Sequence, residues 1–447
     1  MSQSTSAERN GKELAQGITG ISVRGYKSLY EECSIEIRPL TILAGANSSG
    51  KSSIMQPLLL MKQTLEAVYE PAGALLLNGS NIRFTLVEQF LSKFPGESRS
   101  NSLTVKIEII NREKVSVINT FQKPINRKNE FQLIETLYQS KEEETRLSPQ
   151  MSHEEIVPIL PRRYKNYYEG ASEIRRQWRW GVSRIRCFLD LNLDEKLNPG
   201  FLASPFEEQI RKLIHIPGVR GNRERNYPTT TVGSEFPGTF DYYVASVINH
   251  WKNTEDNRIR ELESALKALG LTGKVDARQV NDVQIELRVS RLRESEDGSD
   301  MVSLADVGIG VSQVLPVLVA ILVAEPGQSV YLEQPEIHLH PRAQVAMAQI
   351  LADAAKRDVR VILETHSELL LLAVQSLVAE GKLSPDLVKL HWFTRREDGV
   401  TEVSSAELDE AGAFGDWPED FGDVSMKLES RYLDAAESRL WKRSHGG

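Results

Sequence analysis

The sequence predicts an α/β fold in which a mostly parallel sheet is flanked by helices and carries an antiparallel β subdomain and a mostly helical insertion. Three observations predict this class. A short apolar run at residues 40–44 precedes a glycine-rich loop and a helical pattern, the order of a strand, a turn and a helix. Apolar residues alternate between positions 103 and 121, as in an antiparallel hairpin. Two further apolar strands are predicted at 329–333 and 359–364.

The glycine-rich loop, residues 45–52, reads GANSSGKS and matches the phosphate-binding pattern GxxxxGK[ST]. Two glycines let the backbone turn its N–H groups inward, and the N-terminus of the following helix adds a partial positive charge. The loop therefore predicts binding of a nucleoside triphosphate, with Lys51 reaching the β- and γ-phosphates and Ser52 ligating Mg²⁺. The predicted binding residues are Gly45, Ala46, Asn47, Ser48, Ser49, Gly50, Lys51, Ser52 and Ser53.

The overall composition is that of an ordinary globular protein of 447 residues, long enough for two or three lobes. With 54 basic and 62 acidic residues the formal charge is −8, so any nucleic-acid contact has to be local. Cys33 and Cys187 are too few and too far apart for a disulfide framework or a zinc cluster. Residues 1–17 lack an apolar signal core, and the longest apolar stretch, 314–324, is about half of the ~20 residues of a membrane helix. We expect a cytoplasmic protein without membrane contact.

Four parts of the chain differ in hydrophobic pattern and charge. They are 18–122, the first half of the core with the phosphate loop and the β subdomain; 123–300, the insertion; 301–395, the second half of the core; and 396–447, a tail domain.

Shorter patterns predict individual elements within these parts. A strand pair is predicted at 18–38, a helix at 255–269 and a strand at 283–289. The polar stretch 123–160 predicts a loop or an inserted segment rather than core. No heptad pattern lasts beyond about two turns, which excludes long coiled-coil arms.

Residues 162–186 form a basic segment, with eight arginines and lysines against two glutamates and with tyrosines and tryptophans between them. Basic and aromatic residues together are typical of a surface that contacts single-stranded nucleic acid, so Arg162 to Arg186 are a candidate DNA or RNA contact. The alternative is a helical lobe whose arginines face water or pair with acidic neighbours, since charge runs are usually solvated faces.

Two predicted strands of the second half end in residues suited to nucleotide chemistry. Residues 329–333 lead into Glu333-Gln-Pro-Glu336, the arrangement of a Walker B motif, in which the strand projects a carboxylate to the Mg²⁺ shell. We assign that role to Glu333. Residues 359–364 are followed by Thr365-His366-Ser367, where a histidine can sense or polarise the γ-phosphate.

A second glycine-containing turn, DVGIGVSQ at residues 306–313, opens the apolar helix predicted at 314–323. Its backbone N–H groups and Ser312 are suited to binding an anion. This segment lies too far along the chain to be part of the first loop.

The ordered set of phosphate loop, GxGxSQ segment, Walker B strand and strand-Thr-His-Ser resembles the ABC-type (SMC/OLD-like) ATPase heads. More narrowly, LEQPEIHLHP at 332–341 and WPEDF at 417–421 resemble the prokaryotic AAA-family ATPases related to the OLD, Septu and PARIS defence ATPases. The resemblance covers roughly 18–90 and 300–395, together with the tail.

This resemblance implies that two heads sandwich ATP and Mg²⁺. Lys51 and Ser52 of one subunit would then face Gly310 and Ser312 of the other, which makes assembly into a dimer or larger homo-oligomer part of the site. Gln89 is the candidate for the polar residue that couples Mg²⁺ to the neighbouring lobe.

The run from 216 to 225, IPGVRGNRER, resembles an arginine-bearing loop that precedes the signature segment in these relatives. Arg220, Arg223 and Arg225 are therefore candidates for stabilising the transferring phosphate charge. Structural ion pairing is the alternative role for all three.

The chain departs from the common pattern at the residue that orients the attacking water. The Walker B aspartate is replaced by Glu333 and the following glutamate by Gln334, an amide that cannot accept a proton. Glu336 and His338 are close in sequence, and Gln334 can still orient water, as a glutamine does in small GTPases. We therefore predict slow, regulated hydrolysis, with Glu333, Gln334, Glu336 and His366 as the catalytic candidates.

The same residues suggest two other kinds of site. His338 and His340, with Glu333 and Glu336, suggest a separate metal site, but their spacing just after a strand more often marks a loop at a dimer interface. A serine hydrolase is not predicted, because Ser367 directly follows His366 and no nucleophile elbow GxSxG is present.

The predicted function is an ATP-dependent conformational switch that acts on a partner. Relatives with a nuclease in the same chain append a large domain, whereas only about 50 residues follow Phe393 here. The resemblance therefore implies a separate effector protein, such as a nuclease or toxin in phage defence. A DNA-repair or chromosome-associated ATPase is the main alternative, and a transporter motor is the least favoured.

Overall fold

The computed structural model of the chain describes most of its length. The described residues are 17–94, 96, 99–124, 131–162, 164–165, 179–194, 202–220, 224–292, 300–415 and 430–437. Several predicted features lie outside them: Arg163 and residues 166–178 of the basic segment, Arg223, and the motif at 417–421.

The described part of the chain contains strands and helices in alternation. The strands are β1 (Gly17–Arg24), β2 (Cys33–Glu36), β3 (Leu40–Gly45), β4 (Ser102–Asn111), β5 (Glu113–Gln122), β6 (Gln132–Gln139), β7 (Glu144–Leu147), β8 (Trp180–Ile185), β9 (Phe188–Leu193), β10 (Ile214–Ile216), β11 (Tyr227–Pro228), β12 (Val275–Asn281), β13 (Gln284–Ser290), β14 (Met301–Ser303), β15 (Ser329–Glu333), β16 (Arg360–Glu364), β17 (Val388–Arg395) and β18 (Thr401–Ala406). The α-helices are α1 (Lys51–Leu65), α2 (His153–Ile156), α3 (Ser204–Arg211), α4 (Val244–Asn253), α5 (Arg258–Ala268), α6 (Ile309–Val323), α7 (Pro341–Lys356) and α8 (Glu368–Ala379). Short 3₁₀ helices occur at Val87–Gln89, Val157–Ile159, Phe240–Tyr243, Leu304–Asp306 and Pro385–Leu387.

The central sheet has the order β10-β15-β16-β3-β17-β18 and is parallel except for β18. Its strands are apolar on both faces because helices or a second sheet cover both sides. β16 lies between the phosphate-loop strand β3 and the Walker B strand β15. The carboxyl ends of the parallel strands share one edge, so the residues that follow β3, β15 and β16 are brought together there.

Two hydrophobic cores lie on opposite faces of this sheet. Leu40 and Ile42 of β3 point into the core that contains α6, α7 and α8. Leu43 points into the other core, which contains α1 and the antiparallel sheet. The alternation follows from the two-residue period of a strand. Tyr331 of β15 and Ile362 of β16 lie on the α1 face as well.

The antiparallel β subdomain is confirmed and is larger than predicted. Its order is β2-β1-β4-β5-β6-β7. The predicted strand pair is β1 and β2, and the predicted hairpin is β4 and β5. The prediction of a loop at 123–160 is wrong, because β6 and β7 extend this sheet. Leu133, Leu137 and Leu147 are buried, and so are the polar residues Thr136 and Thr145 between them. Polar side chains at buried positions make these strands look polar in sequence.

The prediction of a mostly helical insertion is also wrong for its described residues. The insertion holds a sheet of β11, β12, β13 and β14 and a hairpin of β8 and β9, besides helices α2 to α5. Helix α5 and strand β13 are confirmed close to their predicted bounds. β10 belongs to the insertion in sequence and is only three residues long, but it pairs with β15 in the central sheet. β18 pairs with β17, so the core continues past the boundary predicted at residue 395.

A buried lysine connects the middle of the insertion to the core. Lys62 of α1 is fully buried and pairs with Glu66 one turn later. Its ammonium group also donates hydrogen bonds to the carbonyl oxygens of Arg211, at 3.0 Å, and Phe236, at 3.2 Å. These acceptors compensate the desolvation of the charge. In the described residues, no helix is both long and apolar enough to cross a membrane.

Candidate nucleotide-binding site

The phosphate loop has the backbone conformation that its glycines predict. Gly45 has a φ of 138°, and a Cβ added there would lie 2.3 Å from the carbonyl oxygen of Phe393. Gly50 has a φ of 108°, and its Cβ would lie 2.6 Å from Oγ1 of Thr401. Both positions therefore need glycine for conformation and for space. Thr401 also donates a hydrogen bond of 2.7 Å to the carbonyl oxygen of Ser49, so β18 supports the loop.

The side chain of Lys51 lies against the phosphate loop. Its ammonium group donates to the carbonyl oxygens of Gly45, at 2.9 Å, and Ala46, at 2.7 Å. Only 5% of its surface is exposed, and burial lowers its pKa from the ordinary value. Gly50, the N-cap of α1, offers no side chain to the first helical N–H groups. The loop thus presents backbone donors and one cation to an anionic ligand.

Ser52 contacts a carboxylate that the sequence did not single out. Its hydroxyl donates a hydrogen bond of 2.8 Å to Oε2 of Glu364, the last residue of β16. Oε1 of Glu364 accepts a hydrogen bond from the hydroxyl of Tyr331. Burial, together with the charge of Glu333, raises the pKa of Glu364 to about 7. The signal available in the sequence was an acidic residue at the end of the strand just before Thr365.

Glu333, the predicted Mg²⁺ ligand, is held by other partners. Its Oε1 lies 3.1 Å from Nε2 of His215, and its Oε2 accepts a hydrogen bond of 3.0 Å from the backbone N–H of Gly218. Burial works to raise its pKa, but the bonds from His215 and Gly218 and the charge of Arg220 lower it overall. His215 is bound on its other side by Asn81, at 3.0 Å from Nδ1.

A cavity of about 860 Å³ opens above the phosphate loop and collects several predicted residues. Lys51, Ser52, Gln89, Gln334 and His366 all line it. It is lined as well by four cations that the sequence reasoning missed, Lys27, Lys93, Arg99 and Arg395. Their charge suits a polyanionic ligand such as a triphosphate.

Three of the predicted residues that line this cavity, Gln334, His366 and Gln89, have distinct environments. Gln334 adopts a φ of 44°, and its backbone N–H donates a hydrogen bond of 2.9 Å to the carbonyl oxygen of Glu364. His366 is half-buried, and burial together with the charge of Lys51 lowers its pKa. Gln89 uses its amide oxygen to accept from the backbone N–H groups of Thr85, at 2.8 Å, and Leu86, at 3.1 Å.

Glu336 does not line the cavity. Its Oε1 accepts hydrogen bonds from Oγ1 of Thr365, at 2.7 Å, and from the backbone N–H of His366, at 3.0 Å. Its other carboxylate oxygen, Oε2, is buried. Glu336 therefore stabilises the turn that contains His366.

The second glycine-containing turn lies apart from this cavity, as predicted. Helix α6 begins at Ile309 with Gly308 as its N-cap, five residues before the predicted start. Gly308 and Ile309 are exposed and Gly310 is partly exposed. Ser312 is 6% exposed, and its hydroxyl donates a hydrogen bond of 3.0 Å to the carbonyl oxygen of Ile309. The surface of this turn is thus backbone rather than the Ser312 hydroxyl.

The described arginines of the loop before α6 have structural partners. Arg220 is 4% exposed and donates to the carbonyl oxygens of Glu333, at 3.2 Å, and Gln334, at 3.3 Å. Burial lowers its pKa to about 10. Arg225 forms a two-bond ion pair with Asp306, at 2.7 and 3.1 Å. These contacts favour the structural role over a role in phosphate transfer.

The described arginines of the basic segment are also paired. Arg162 lies near Glu142 and Glu143, and Arg179 lies near Glu154. Arg184 and Arg186 both pair with Glu70. This is the solvated and ion-paired arrangement that was the alternative to a nucleic-acid surface.

The idea of a separate metal site finds no support among the described residues, which hold no group of three or more His, Cys, Asp or Glu side chains suited to a metal. His338 and His340 are exposed. His340 instead caps α7, where its Nδ1 accepts a hydrogen bond of 3.3 Å from the backbone N–H of Arg342.

Comparison with solved structures finds SMC head domains. A Pyrococcus furiosus SMC head with an extended coiled coil, bound to the C-terminal domain of ScpA, has a TM-score of 0.46 and 14% identity over 94% of this chain and all of that one. The Thermotoga maritima SMC head domain has a TM-score of 0.41 and 12% identity over 88% of this chain and all of that one. An SMC head bound to the C-winged helix domain of ScpA has a TM-score of 0.49 and 13% identity, covering 88% of this chain and 99% of that one.

Both halves of the core match descriptions of protein families. No curated protein sequence matches the chain significantly. Residues 17–169, with the phosphate loop, match the family described as AAA ATPase domain. Residues 211–373, with Glu333, Gln334 and His366, match the family described as AAA domain, putative AbiEii toxin, Type IV TA system. The two halves that build the nucleotide cavity are therefore both similar to AAA-type ATPase domains.

Proposed function

We propose that this protein is an ATPase whose two copies close around ATP and Mg²⁺, and that this closure is a conformational switch acting on a separate effector protein. One observation carries the proposal: the phosphate loop lines a cavity with Gln334 and His366, while the turn at Gly308 is exposed and outside that cavity. One chain thus has an ATP-binding half-site and, apart from it, a turn suited to binding an anion. This arrangement fits a nucleotide site that is completed by the turn of a second copy.

The chain's own groups fit ATP and Mg²⁺. Lys51 exchanges the carbonyl oxygens of Gly45 and Ala46 for phosphate oxygens, which are stronger partners for an ammonium group. The backbone donors at the start of α1 receive the phosphates. Mg²⁺ prefers oxygen ligands, and the Ser52 hydroxyl and the neighbouring carboxylates supply them. When bound, Mg²⁺ neutralises charge on the phosphates.

Hydrolysis is proposed to be slow, because neither Gln334 nor Glu336 is placed as a free base. Gln334 lines the cavity but carries an amide, which orients water without taking its proton. Glu336 is committed to Thr365 and His366 and does not line the cavity. A slow cleavage step keeps the closed state long-lived, as a switch requires.

The separate effector protein is proposed from the resemblance of two sequence motifs. The motifs at 332–341 and 417–421 resemble ATPases of anti-phage systems, some of which act with a separate effector protein. The family matched at 211–373 is named for a toxin of a toxin–antitoxin system, which is compatible with a defence role.

Nucleotide binding and phosphate release by the purified chain test the enzymatic part. We expect ATP to bind in the presence of Mg²⁺ and phosphate release to stay below ~10 per second, the median turnover of enzymes. Lys51→Ala should abolish both, since it removes the only loop cation. Equal ATP binding by the wild type and by Lys51→Ala would contradict the proposed site.

A further inference from the structure

Two carboxylates stand side by side at the edge of the central sheet. Glu333 ends β15 and Glu364 ends β16, and they are direct register partners on adjacent parallel strands. Register partners project to the same face, which here is the face covered by α1. Of the two carboxylates, the sequence predicts an Mg²⁺ role only for Glu333, so the contacts of the two side chains decide between them.

Glu364 is the carboxylate that reaches the phosphate loop. It is 2% exposed, yet it lines the nucleotide cavity with Lys51 and Ser52. Its Oε2 accepts the hydrogen bond from Ser52, and its Oε1 is fixed by the hydroxyl of Tyr331. One oxygen is thus anchored, while the other faces the hydroxyl that is predicted to ligate Mg²⁺.

Glu333 is turned to the other side. Its two oxygens are taken by Nε2 of His215 and by the backbone N–H of Gly218. Drawing this carboxylate to Ser52 would break both hydrogen bonds and leave Nε2 of the buried His215 without this partner, which is costly. His215 is itself anchored by Asn81 and stacks on Tyr331 at 5.3 Å between ring centres, so this side of the network resists rearrangement.

We propose that Glu364, rather than Glu333, is the protein carboxylate that binds the Mg²⁺ of the nucleotide, through the oxygen that now accepts the Ser52 hydrogen bond. Tyr331 is a positioning residue that fixes the orientation of this carboxylate. Mg²⁺ typically uses one or two carboxylates with substrate phosphates and waters, so Glu364 and Ser52 suffice as protein ligands. The inference rests on the proposed function, because it needs the nucleotide site.

The test compares matched substitutions at the two register positions, Glu364→Gln and Glu333→Gln, in the full-length chain. Affinity for a fluorescent mant-ATP is measured in EDTA and in excess Mg²⁺, and the ratio of the two dissociation constants gives the Mg²⁺-dependent gain. Thermal unfolding of each variant checks that it is folded. The readout is metal-dependent binding, not catalysis.

We expect Glu364→Gln to reduce the Mg²⁺-dependent gain by about tenfold or more, since the change removes the ligand charge. Its affinity in EDTA should be equal or higher, because a negative charge next to the phosphates is lost. Glu333→Gln should keep most of the gain. An unchanged gain in Glu364→Gln, or a gain lost only in Glu333→Gln, overturns the inference.

If Glu364→Gln fails to fold, Tyr331→Phe tests the role of Glu364 in its place. It keeps the carboxylate but removes its anchor, so a reduced gain supports the inference and an unchanged gain contradicts it. Failure of the wild type to bind mant-ATP in either buffer would instead contradict the proposed function.

Discussion

Arg220 donates a hydrogen bond of 3.3 Å from its guanidinium group to the main-chain carbonyl oxygen of Gln334. Gln334 has a φ of 44°, a conformation that non-glycine residues adopt only when their surroundings hold them. A second bond, of 3.2 Å, reaches the carbonyl oxygen of Glu333. Arg220 thus supports the turn that places Gln334 in the nucleotide cavity, and it lies 114 residues before Gln334 in the chain.

Replacing Arg220 tests directly whether it stabilises this turn. Arg220→Met should lower the free energy of unfolding by about 2–4 kcal/mol, because buried carbonyl oxygens and the charge of Glu336 lose their partner. Urea unfolding followed by circular dichroism measures the change. Arg225→Met, which breaks the exposed pair with Asp306, is the control and should cost less than about 1 kcal/mol. Equal stability of Arg220→Met and the wild type would contradict the role.

The amide at position 334 is expected to limit the rate of hydrolysis. Gln334→Glu introduces a carboxylate where the attacking water is oriented, so phosphate release should increase by roughly tenfold or more. Gln334→Ala, which neither orients water nor takes a proton, should not increase it. Steady-state phosphate release at saturating ATP measures both variants. A Gln334→Glu rate no higher than that of the wild type would show that another group is already the base.

The phosphate loop should tolerate no side chain at Gly50. Gly50→Ala places a Cβ 2.6 Å from Oγ1 of Thr401 at a φ of 108°, so nucleotide affinity should fall by about tenfold or more and stability by about 1–3 kcal/mol. Gly308→Ala is the matched control, because Gly308 has a φ of −60° and no atom within 4 Å of an added Cβ. Its stability should stay within about 0.5 kcal/mol of the wild type. Similar effects of the two substitutions would argue against the loop geometry.

Local patterns were enough to predict the residues of the phosphate loop, the strands β15 and β16, and the hairpin of β4 and β5. Each of these depends on neighbours in sequence: the spacing of glycines, the length of an apolar run, the alternation of side chains. Gln334 and His366 line one cavity with Lys51, because the parallel strands that precede them have their carboxyl ends at one edge of the sheet.

The contacts of Glu364 and Glu333 were not predictable in this way. They depend on β16 lying between β3 and β15, and on β10 bringing His215 next to Glu333. β10 is three residues long, too short to give a periodic signal, and its pairing with β15 spans more than 100 residues of chain. β6 and β7 were missed because polar residues, among them the buried Thr136 and Thr145, interrupt their apolar pattern.

His391 should make stability depend on pH. Its Nδ1 lies 2.8 Å from Oγ of Ser405 and its Nε2 lies 2.8 Å from the carbonyl oxygen of Glu36, which requires a proton on Nε2. Burial lowers its pKa to about 4, against an ordinary value near 6.5. The unfolded chain therefore binds the extra proton first, and stability is lost as the pH falls from about 6.5 towards 4.

The loss from this one group should reach about 2 kcal/mol at pH 5. Urea unfolding of the wild type and of His391→Phe at pH 7 and pH 5 measures it. His391→Phe should be less stable at pH 7, where it lacks both hydrogen bonds, but should lose about 2 kcal/mol less on acidification. The same decline in both proteins would show that His391 does not contribute.

The central claim is that ATP joins two copies through the phosphate loop of one and the exposed turn at Gly308 of the other. Light scattering of the purified chain with Mg²⁺ and a non-hydrolysable ATP analogue measures this most directly. We expect at least twice the monomer mass with the analogue, and the monomer mass for Lys51→Ala and for Gly308→Arg, the latter still binding nucleotide because its change is confined to the exposed turn. A wild-type protein that stays strictly monomeric at saturating analogue would contradict the account.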